Sequence, residues 1–164
     1  MPLQWPVPYA IRDVRPDDFE TLWWIDQQCF PPEIAYSRRE LQIYMRRLGA
    51  FTLVAADPGA VSGDVSLIGG FLVAQSGLTG HIITIDVLKT ARRAGLGSLL
   101  LRSAEDRLIA SGSQAVGLET AVDNLPALAF YKRHGYHVIR TWPRYYGNGV
   151  DALVLEKKLD PRRK

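Results

Sequence analysis

The sequence predicts an α+β protein with a mixed, mostly antiparallel central sheet flanked by about four helices. Hydrophobic periodicity gives the element order β-α-α-β-β-β-α-β-α-β-β. Turns join three consecutive strands in this order, and a helical crossover joins a later pair. The chain has 164 residues, of which 47% are hydrophobic and 23% are charged, as in ordinary globular domains. We therefore expect one domain over 1–164, with a core over about 9–159 and a short basic tail over 160–164.

The first part of the chain predicts one strand and two helices. A strand is expected over 9–14. The acidic run 17–20 then supplies an N-cap and a Glu three residues later, which starts a helix that runs to about Phe30. Pro31-Pro32 ends that helix, and the Ser and Glu of the run 37–40 form a second capping box. The helix after it stops before Gly49 and carries apolar residues at i, i+3, i+4 and i+7, namely Leu41, Tyr44, Met45 and Leu48.

The rest of the chain predicts further strands and two more helices. Turn sequences at 57–59 and 76–77 separate three apolar, β-branched runs, which predict an antiparallel meander. Asn124 starts the last helix, and Gly135 closes it. The helix before it ends near 111–112 and is marked by Leu96, Leu99, Leu100, Ala104 and Leu108. The strands are expected over 50–56, 65–75, 81–88, 115–122, 136–141 and 151–157.

Charge and composition exclude several classes of protein. The net charge of +3 is too small for a DNA-coating protein, although a local basic patch could hold a phosphate ligand. The single cysteine, Cys29, excludes an intrachain disulfide and a zinc site of paired cysteines, and His81, His134 and His137 lack metal-ligand spacing. The longest apolar run, 67–74, is far shorter than the roughly 20 residues of a transmembrane helix. The N-terminus indicates no signal or transit peptide. We expect a cytoplasmic protein that binds no metal, DNA or membrane.

A basic, glycine-bearing loop follows the strand over 81–88 and opens directly into a helix. It contains Arg92, Gly95 and Gly97 in the pattern Arg-x-x-Gly-x-Gly. The N-terminus of a helix presents unpaired N–H groups and a partial positive charge, and glycine lets a bulky anion approach the backbone. The loop is thus a candidate diphosphate site, although the bare pattern also fits an ordinary turn. A Walker A loop is excluded because Gly-Lys-Ser/Thr is missing, and a dinucleotide loop is excluded because Leu100 stands at its small third position.

A second block, over 118–136, accompanies this loop. Its strand is followed by Asn124 and Tyr131, and it closes on Gly135-Tyr136. In this order the two blocks resemble the Gcn5-related N-acetyltransferase (GNAT) family, whose acetyl-CoA loop has the pattern Gln/Arg-x-x-Gly-x-Gly/Ala. The ending, Arg144-Tyr145-Tyr146 and then the strand over 151–155, is similar to the protein N-terminal acetyltransferases of that family, of the ribosomal-protein-alanine (RimI-like) type.

The resemblance implies that acetyl-CoA is the acetyl donor and that its diphosphate lies on the glycine loop. It also implies that a backbone N–H holds the carbonyl oxyanion where the strand over 81–88 splays from its neighbour. Asn124, which suits an N-cap, would in addition meet the pantetheine arm. The residues thus expected to bind the cofactor are Ile85, Asp86, Val87, Arg92, Arg93, Ala94, Gly95, Leu96, Gly97, Ser98, Asn124 and Tyr131.

Acetyl transfer to an amine needs a neutral nitrogen and a proton for the departing thiolate. Glu119 lies on the polar face of its strand, where a glutamate is often only solvent-facing, and the resemblance makes it the general base. Tyr131 has a phenol of reference pKa about 10, which can donate to a thiolate of reference pKa about 8.5. Its ring could equally serve the core, and the resemblance makes it the proton donor to the sulfur. Cys29 has no His or acid at an activating spacing, so direct attack in a ternary complex is favoured.

Two considerations favour an α-amine as the acceptor. Deprotonation at pH 7 costs about 4.6 kcal/mol for a lysine amine, whose reference pKa is about 10.4, against roughly 1 to 1.4 kcal/mol for an α-amine. The resemblance also implies peptide-facing loops at Phe30, Pro31, Tyr145 and Tyr146. We expect a protein or peptide N-terminus, such as that of a ribosomal protein, as substrate. A small-molecule amine (polyamine, amino acid or antibiotic), a non-catalytic acetyl-CoA-binding module, and either a monomer or a homodimer stay open.

Overall fold

One sheet of seven strands organises the part of the chain that the computed structural model describes, residues 9–59 and 67–162. The strands are β1 (Ala10–Asp13), β2 (Ala50–Ala56), β3 (Ile68–Gln75), β4 (Thr79–Val87), β5 (Ala115–Ala121), β6 (His137–Trp142) and β7 (Ala152–Lys158). The helices are α1 (Phe19–Cys29), α2 (Arg38–Arg46), α3 (Leu96–Ala110) and α4 (Leu125–Arg133). Across the sheet the order is β1-β2-β3-β4-β5-β7-β6. The β4–β5 pair is parallel, and the other pairs are antiparallel.

The predicted α+β fold, with its meander of β2, β3 and β4 and its four helices, is confirmed. The position of β7 could not be read from element order, because β7 lies between β5 and β6 rather than at the edge of the sheet. The strand predicted over 65–75 is present as Ile68–Gln75. Its first residues belong to 60–66, which lie outside the described residues.

The start of α1 differs from the prediction. A 3-10 turn, Pro16–Asp18, precedes the helix. The Asp18 carboxylate, which is 2% exposed, accepts the Arg15 N–H at 2.7 Å and two hydrogen bonds from the Arg12 guanidinium. Burial opposes ionisation of Asp18, but these hydrogen bonds outweigh it and lower its pKa. Because Arg12 belongs to β1, the ion pair ties the start of the helix to the sheet.

The start of α2 is as predicted, but its apolar stripe is shorter. Ser37 Oγ accepts the Glu40 N–H at 3.1 Å, and the Glu40 carboxylate accepts the Ser37 N–H at 3.2 Å, which is a capping box. The helix ends at Arg46, so Leu48 lies in the following turn and is 96% exposed. In α3, Leu99, one of the residues whose spacing predicts the helix, is likewise exposed, while Leu101 is buried.

Two buried clusters fill the two faces of the sheet. On one face α3 and α4 pack on the strands, with Leu100 and Leu108 among the buried residues. On the other face α1 and α2 bury Leu22 and Leu41 against residues of β2 and β3 such as Phe71. The main contacts of α1 and α2 are with β2, β3 and β4, so these helices leave the corresponding face of β5 open to the site described below.

A bulge and a splay shape the centre of the sheet. On one side of β4, Thr84 pairs with Val73 and Ile82 pairs with the next residue of β3, so Ile83 is the extra residue of a bulge. On its other side, β4 pairs with β5 at three positions, of which His81–Gly117 is the last. Beyond that pair the two parallel strands separate and leave a gap.

Candidate active site

A cavity of about 850 Å³ occupies the gap between β4 and β5. Its walls come from both strands, the loop before α3, one side of α4, the end of α1 with the segment that follows it, α2, and the segment before β7. The cavity therefore joins all the chain segments in which the sequence predicted site residues.

Main-chain groups of β4 face this gap. The Leu88 N–H donates to the Gly69 carbonyl, so by the alternation of an antiparallel ladder the main chain of Asp86 is bonded to β3. The N–H and C=O groups of Ile85 and Val87 then point away from β3 into the gap. The side chain of Asp86 is 1% exposed and is absent from the cavity wall, so the structure does not bring this predicted residue to the site.

The loop before α3 forms a cradle at the helix N-terminus. A 3-10 segment, Lys89–Ala94, leads to Gly95, whose φ of +70° is left-handed and suits glycine. A Cβ added at Gly95 would meet no atom within 4 Å, so there is open space beside the first turn of α3, whose amides lack helical partners. Arg92, Gly95, Gly97 and Ser98 all line the cavity. Open space, N–H donors and a guanidinium fit the diphosphate of the predicted cofactor.

The remaining loop residues are placed differently. Leu96 is 1% exposed and belongs to the core, so it offers its amide alone. Gly97 faces Phe130, because an added Cβ would lie 3.3 Å from that ring, and this glycine therefore also permits α3 and α4 to pack closely. The side chains of Arg93 and Ala94 are not among those described.

Glu119 lies in the cavity wall just beyond the point where β5 leaves β4. Its Oε2 is 2.6 Å from Nε2 of His81. The contact forms because His81 pairs with Gly117, and Glu119 is the next residue on the same face of β5. Sequence reasoning selected Glu119 but missed His81, because their contact depends on the register of two parallel strands.

Tyr131 reaches the cavity from α4, and Asn124 stands at the start of that helix. The Tyr131 ring contacts the rings of Phe130 and Tyr136 in the core, and the side chain also lines the cavity, so the two interpretations of this residue are compatible. Burial raises the pKa of Tyr131 well above its ordinary value, with Asp86 adding to the effect, and the phenol stays protonated. Asn124 Oδ1 accepts the Ala127 N–H at 3.3 Å, which confirms the N-cap.

Aromatic side chains form the wall near Glu119. Phe30, Tyr145 and Tyr146 line the cavity, but Pro31 does not; it is exposed, and its carbonyl accepts two N–H groups of the turn after α1. The Tyr145 and Tyr146 rings meet edge to face at 5.0 Å. Burial raises the pKa of both tyrosines, and the Glu119 carboxylate adds to the effect, so both remain neutral hydrogen-bond donors.

Sequence reasoning also missed two tyrosines of the wall, Tyr36 and Tyr44. Their ring centroids are 5.1 Å apart, and the Tyr36 hydroxyl donates to the Ile83 carbonyl at 3.4 Å. The main chain of Tyr36 is held by α1, since its N–H donates to Asp26 at 2.7 Å and its carbonyl accepts Gln27 Nε2 at 2.8 Å. An aromatic residue directly before a capping box is a sequence signal for such a fixed position.

A buried pair of carboxyls lies between α1 and β4. Asp26 is 0% exposed and Asp86 is 1% exposed. Burial raises the pKa of both, and the neighbouring Asp26 raises that of Asp86 further. Asp26 Oδ1 and Asp86 Oδ2 are buried without a hydrogen-bond partner among the described residues, which favours the protonated form of this pair. Burial, with Asp86 adding to it, also raises the pKa of Cys29 to about 11, so this residue stays a thiol at neutral pH.

Comparison with known proteins agrees with this geometry. The sequence model described as Acetyltransferase (GNAT) family matches residues 17–136. The chain belongs to this GNAT family. N-alpha-acetyltransferase 30 of Schizosaccharomyces pombe is 30% identical over 123 residues, which cover 72% of this chain and 78% of that protein. An N-alpha-acetyltransferase of Sulfurisphaera tokodaii is 28% identical over 158 residues, 92% of this chain and 93% of that protein.

Solved structures share the fold. The ribosomal-protein-S18-alanine N-acetyltransferase of Escherichia coli matches with a TM-score of 0.77 at 21% identity, over 93% of this chain and 94% of that one. The predicted family is thereby confirmed, as is an acyltransferase that uses acetyl-CoA as donor. Within 9–59 and 67–162, no cluster of three or more His, Cys, Asp or Glu side chains could hold a metal ion. No helix in these two ranges is long and apolar enough to cross a membrane.

Proposed function

We propose that this GNAT enzyme transfers the acetyl group of acetyl-CoA to the α-amine of a protein or peptide N-terminus, by direct attack in a ternary complex. The observation that carries the proposal is that one cavity joins the α3 cradle to Glu119 and to the tyrosine wall with Tyr145 and Tyr146. The two relatives named above are N-alpha-acetyltransferases, which supports the same acceptor.

Residues on one side of the cavity would hold the donor. Acetyl-CoA supplies an activated thioester. The first-turn amides of α3 and the Arg92 guanidinium bind the diphosphate, and Asn124 flanks the arm that follows. The N–H groups of Ile85 and Val87 face the gap, where they stabilise the negative charge that develops on the carbonyl oxygen.

Two side chains move protons in this proposal. Glu119 takes a proton from the incoming ammonium, directly or through a water, so that the nitrogen can attack. Tyr131 gives its phenolic proton to the departing sulfur, and burial keeps that proton in place until then. An α-amine suits a single carboxylate, because its deprotonation at pH 7 costs only roughly 1 to 1.4 kcal/mol.

The lining of the cavity favours a peptide end over a polyamine. Among the described residues that line it, Glu119 is the one carboxylate, whereas a polyamine carries several positive charges that need several acids. The rings of Phe30, Tyr145 and Tyr146 supply apolar area for a first side chain, and the tyrosine hydroxyls supply donors for a peptide carbonyl. The N-terminus of a ribosomal protein, met in the cytoplasm, is one acceptor of this kind.

We also propose that the chain works as one domain, with its core over about 9–159. Both buried clusters share one sheet, and the cavity draws its walls from both halves of the sequence.

Free-thiol release from acetyl-CoA tests the acceptor class. The purified protein is offered a library of peptides with free N-termini and a matched panel of polyamines, amino acids and aminoglycosides. We expect thiol release with peptides, in a manner that depends on their first residues. Thiol release with a small amine and with none of the peptides would contradict the proposal and indicate a small-molecule acetyltransferase. Binding without turnover on either panel would indicate a non-catalytic module.

A further inference from the structure

A histidine at the outer end of the gap touches the proposed base. His81 is the last residue of β4 that pairs with β5, and its Nε2 lies 2.6 Å from Glu119 Oε2. The His81 side chain is 38% exposed, whereas that of Glu119 is 15% exposed. The two side chains thus form a short path from the cavity to solvent.

The reaction needs such a path, because it releases a proton. An ammonium and an acetyl thioester give an amide, a thiol and one proton: the N–C bond forms, the C–S bond breaks, and the nitrogen loses two protons. Glu119 takes one of them before the attack. The other leaves after the N–C bond forms and replaces the proton that Tyr131 gives to the sulfur, so the proton on Glu119 is the one that must reach water before the next cycle. Glu119, which holds that proton in the proposed reaction, is mostly shielded from solvent.

We propose that His81 takes this proton from Glu119 and releases it to bulk water. The role of His81 rests on the proposed function of Glu119. An imidazole suits the step, because one ring nitrogen can accept a proton while the other gives one up. It acts through Glu119 and also orients that carboxylate, so it is a positioning residue rather than one that touches the acceptor.

Around Glu119 and His81, no other side chain in the described part of the chain is suited to carry the released proton. The other ionisable side chains of the wall nearby are phenols, and burial raises the pKa of three of them, Tyr36, Tyr145 and Tyr146. On β3, the residue opposite His81 is Gln75, which does not ionise. No second carboxylate lines the cavity among the described residues, so Glu119 passes its proton to His81 or directly to water.

Two variants separate proton release from mere orientation of Glu119. His81→Gln keeps an N–H donor for the carboxylate but cannot carry a proton, and His81→Ala leaves space for free imidazole. His137→Gln changes an exposed histidine of β6 that does not line the cavity, and it serves as the matched control. The kcat and KM are measured in weak buffer, with and without added imidazole, for whichever primary amine the protein acetylates.

We expect kcat to fall about tenfold or more in both His81 variants, with the acceptor KM nearly unchanged, and imidazole to restore kcat in His81→Ala. The control should match the unmodified protein. Full kcat in His81→Gln without imidazole would overturn the proposal, because orientation would then suffice. A low kcat in His81→Ala that imidazole does not raise would overturn it as well, because the loss would then be structural.

A second readout needs neither donor nor acceptor. The imidazole ¹⁵N resonances of His81 should shift in Glu119→Gln at neutral pH, while those of His137 stay in place. An unchanged His81 signal would refute the contact itself. The proposal on the acceptor and the proposal on His81 can be refuted independently, because the proton balance is the same for any primary amine. An enzyme that acts on small amines alone would contradict the α-amine acceptor, and the role of His81 could still be tested with those amines.

Discussion

At the scale of single residues, Glu119 and Tyr131 are assigned to proton handling, and Tyr131 performs it at the sulfur of the cofactor. We predict that Glu119→Gln and Tyr131→Phe each lower kcat by about 10²–10⁴-fold, the usual contribution of a positioned acid or base. Acetyl-CoA affinity, measured by calorimetry, should change little in either variant, because the diphosphate cradle is built from other residues.

Glu156→Gln is the matched control for the carboxylate. Glu156 is a partly buried glutamate of β7 and is absent from the cavity wall, so its variant should turn over normally. Near-normal kcat in both Glu119→Gln and Tyr131→Phe would contradict the scheme, and protons would then have to travel through water alone.

The buried pair of Asp26 and Asp86 makes stability depend on pH. Because the pKa of both carboxyls is raised in the folded protein, their contribution is present at low pH and is lost as pH rises through those raised values. We predict that the free energy of unfolding falls as pH rises above about 4, the ordinary range of an aspartate, and that Asp86→Asn weakens this fall.

Urea unfolding at a series of pH values from acid to slightly alkaline measures this dependence. Asp17→Asn, at an exposed aspartate in the turn before α1, should leave the slope as it is in the unmodified protein. Equal slopes for the unmodified protein and Asp86→Asn would show that the raised pKa of this pair does not set the pH dependence.

At the scale of elements, the 3-10 segment before α3 carries the proposed diphosphate site. Arg92 lines the cavity and also donates from Nε to the Val87 carbonyl at 2.9 Å. Arg92→Ala should weaken acetyl-CoA binding about tenfold or more, because a hydrogen bond to a charged group contributes about 1.5–3 kcal/mol. Isothermal titration with free CoA measures it without turnover.

Arg102→Ala is the control for overall charge. Arg102 is an exposed arginine of α3 that does not line the cavity, so its variant should bind CoA as the unmodified protein does. Equal weakening by both substitutions would mean that net charge acts in place of a specific contact. Unchanged binding by Arg92→Ala would remove this residue from the diphosphate site.

Helix starts that depend on hydrogen bonds between residues close in the sequence could be predicted. The Ser37 capping box and the Asn124 N-cap act within four residues, so both can be read from sequence, and both are present. The start of α1 could not be read in this way, because the partner of Asp18 is Arg12 on the neighbouring strand. The order of elements along the chain does not determine which strands β7 pairs with. Its position between β5 and β6 therefore could not be predicted.

At the scale of the whole molecule, the cavity exists because β4 and β5 separate after the His81–Gly117 pair. A bulge at Ile83 lies in the same part of β4, and the first two helices cover only one part of one face of the sheet. No local sequence pattern encodes the separation of the two strands. The family resemblance implied that these strands separate, whereas the spacing of residues in the sequence could not show it. The contact of His81 with Glu119, 38 residues apart, was hidden from the sequence for the same reason.

A peptide that carries both kinds of amine identifies the acceptor. A peptide with a free N-terminus and one internal lysine is incubated with the protein and acetyl-CoA, beside the same peptide with a blocked N-terminus, and tandem mass spectrometry locates the acetyl group. The account predicts acetyl on the α-amine of the free peptide and no acetylation of the blocked one, with a rate that rises with pH as the α-amine loses its proton. Acetyl on the lysine of the blocked peptide would contradict it.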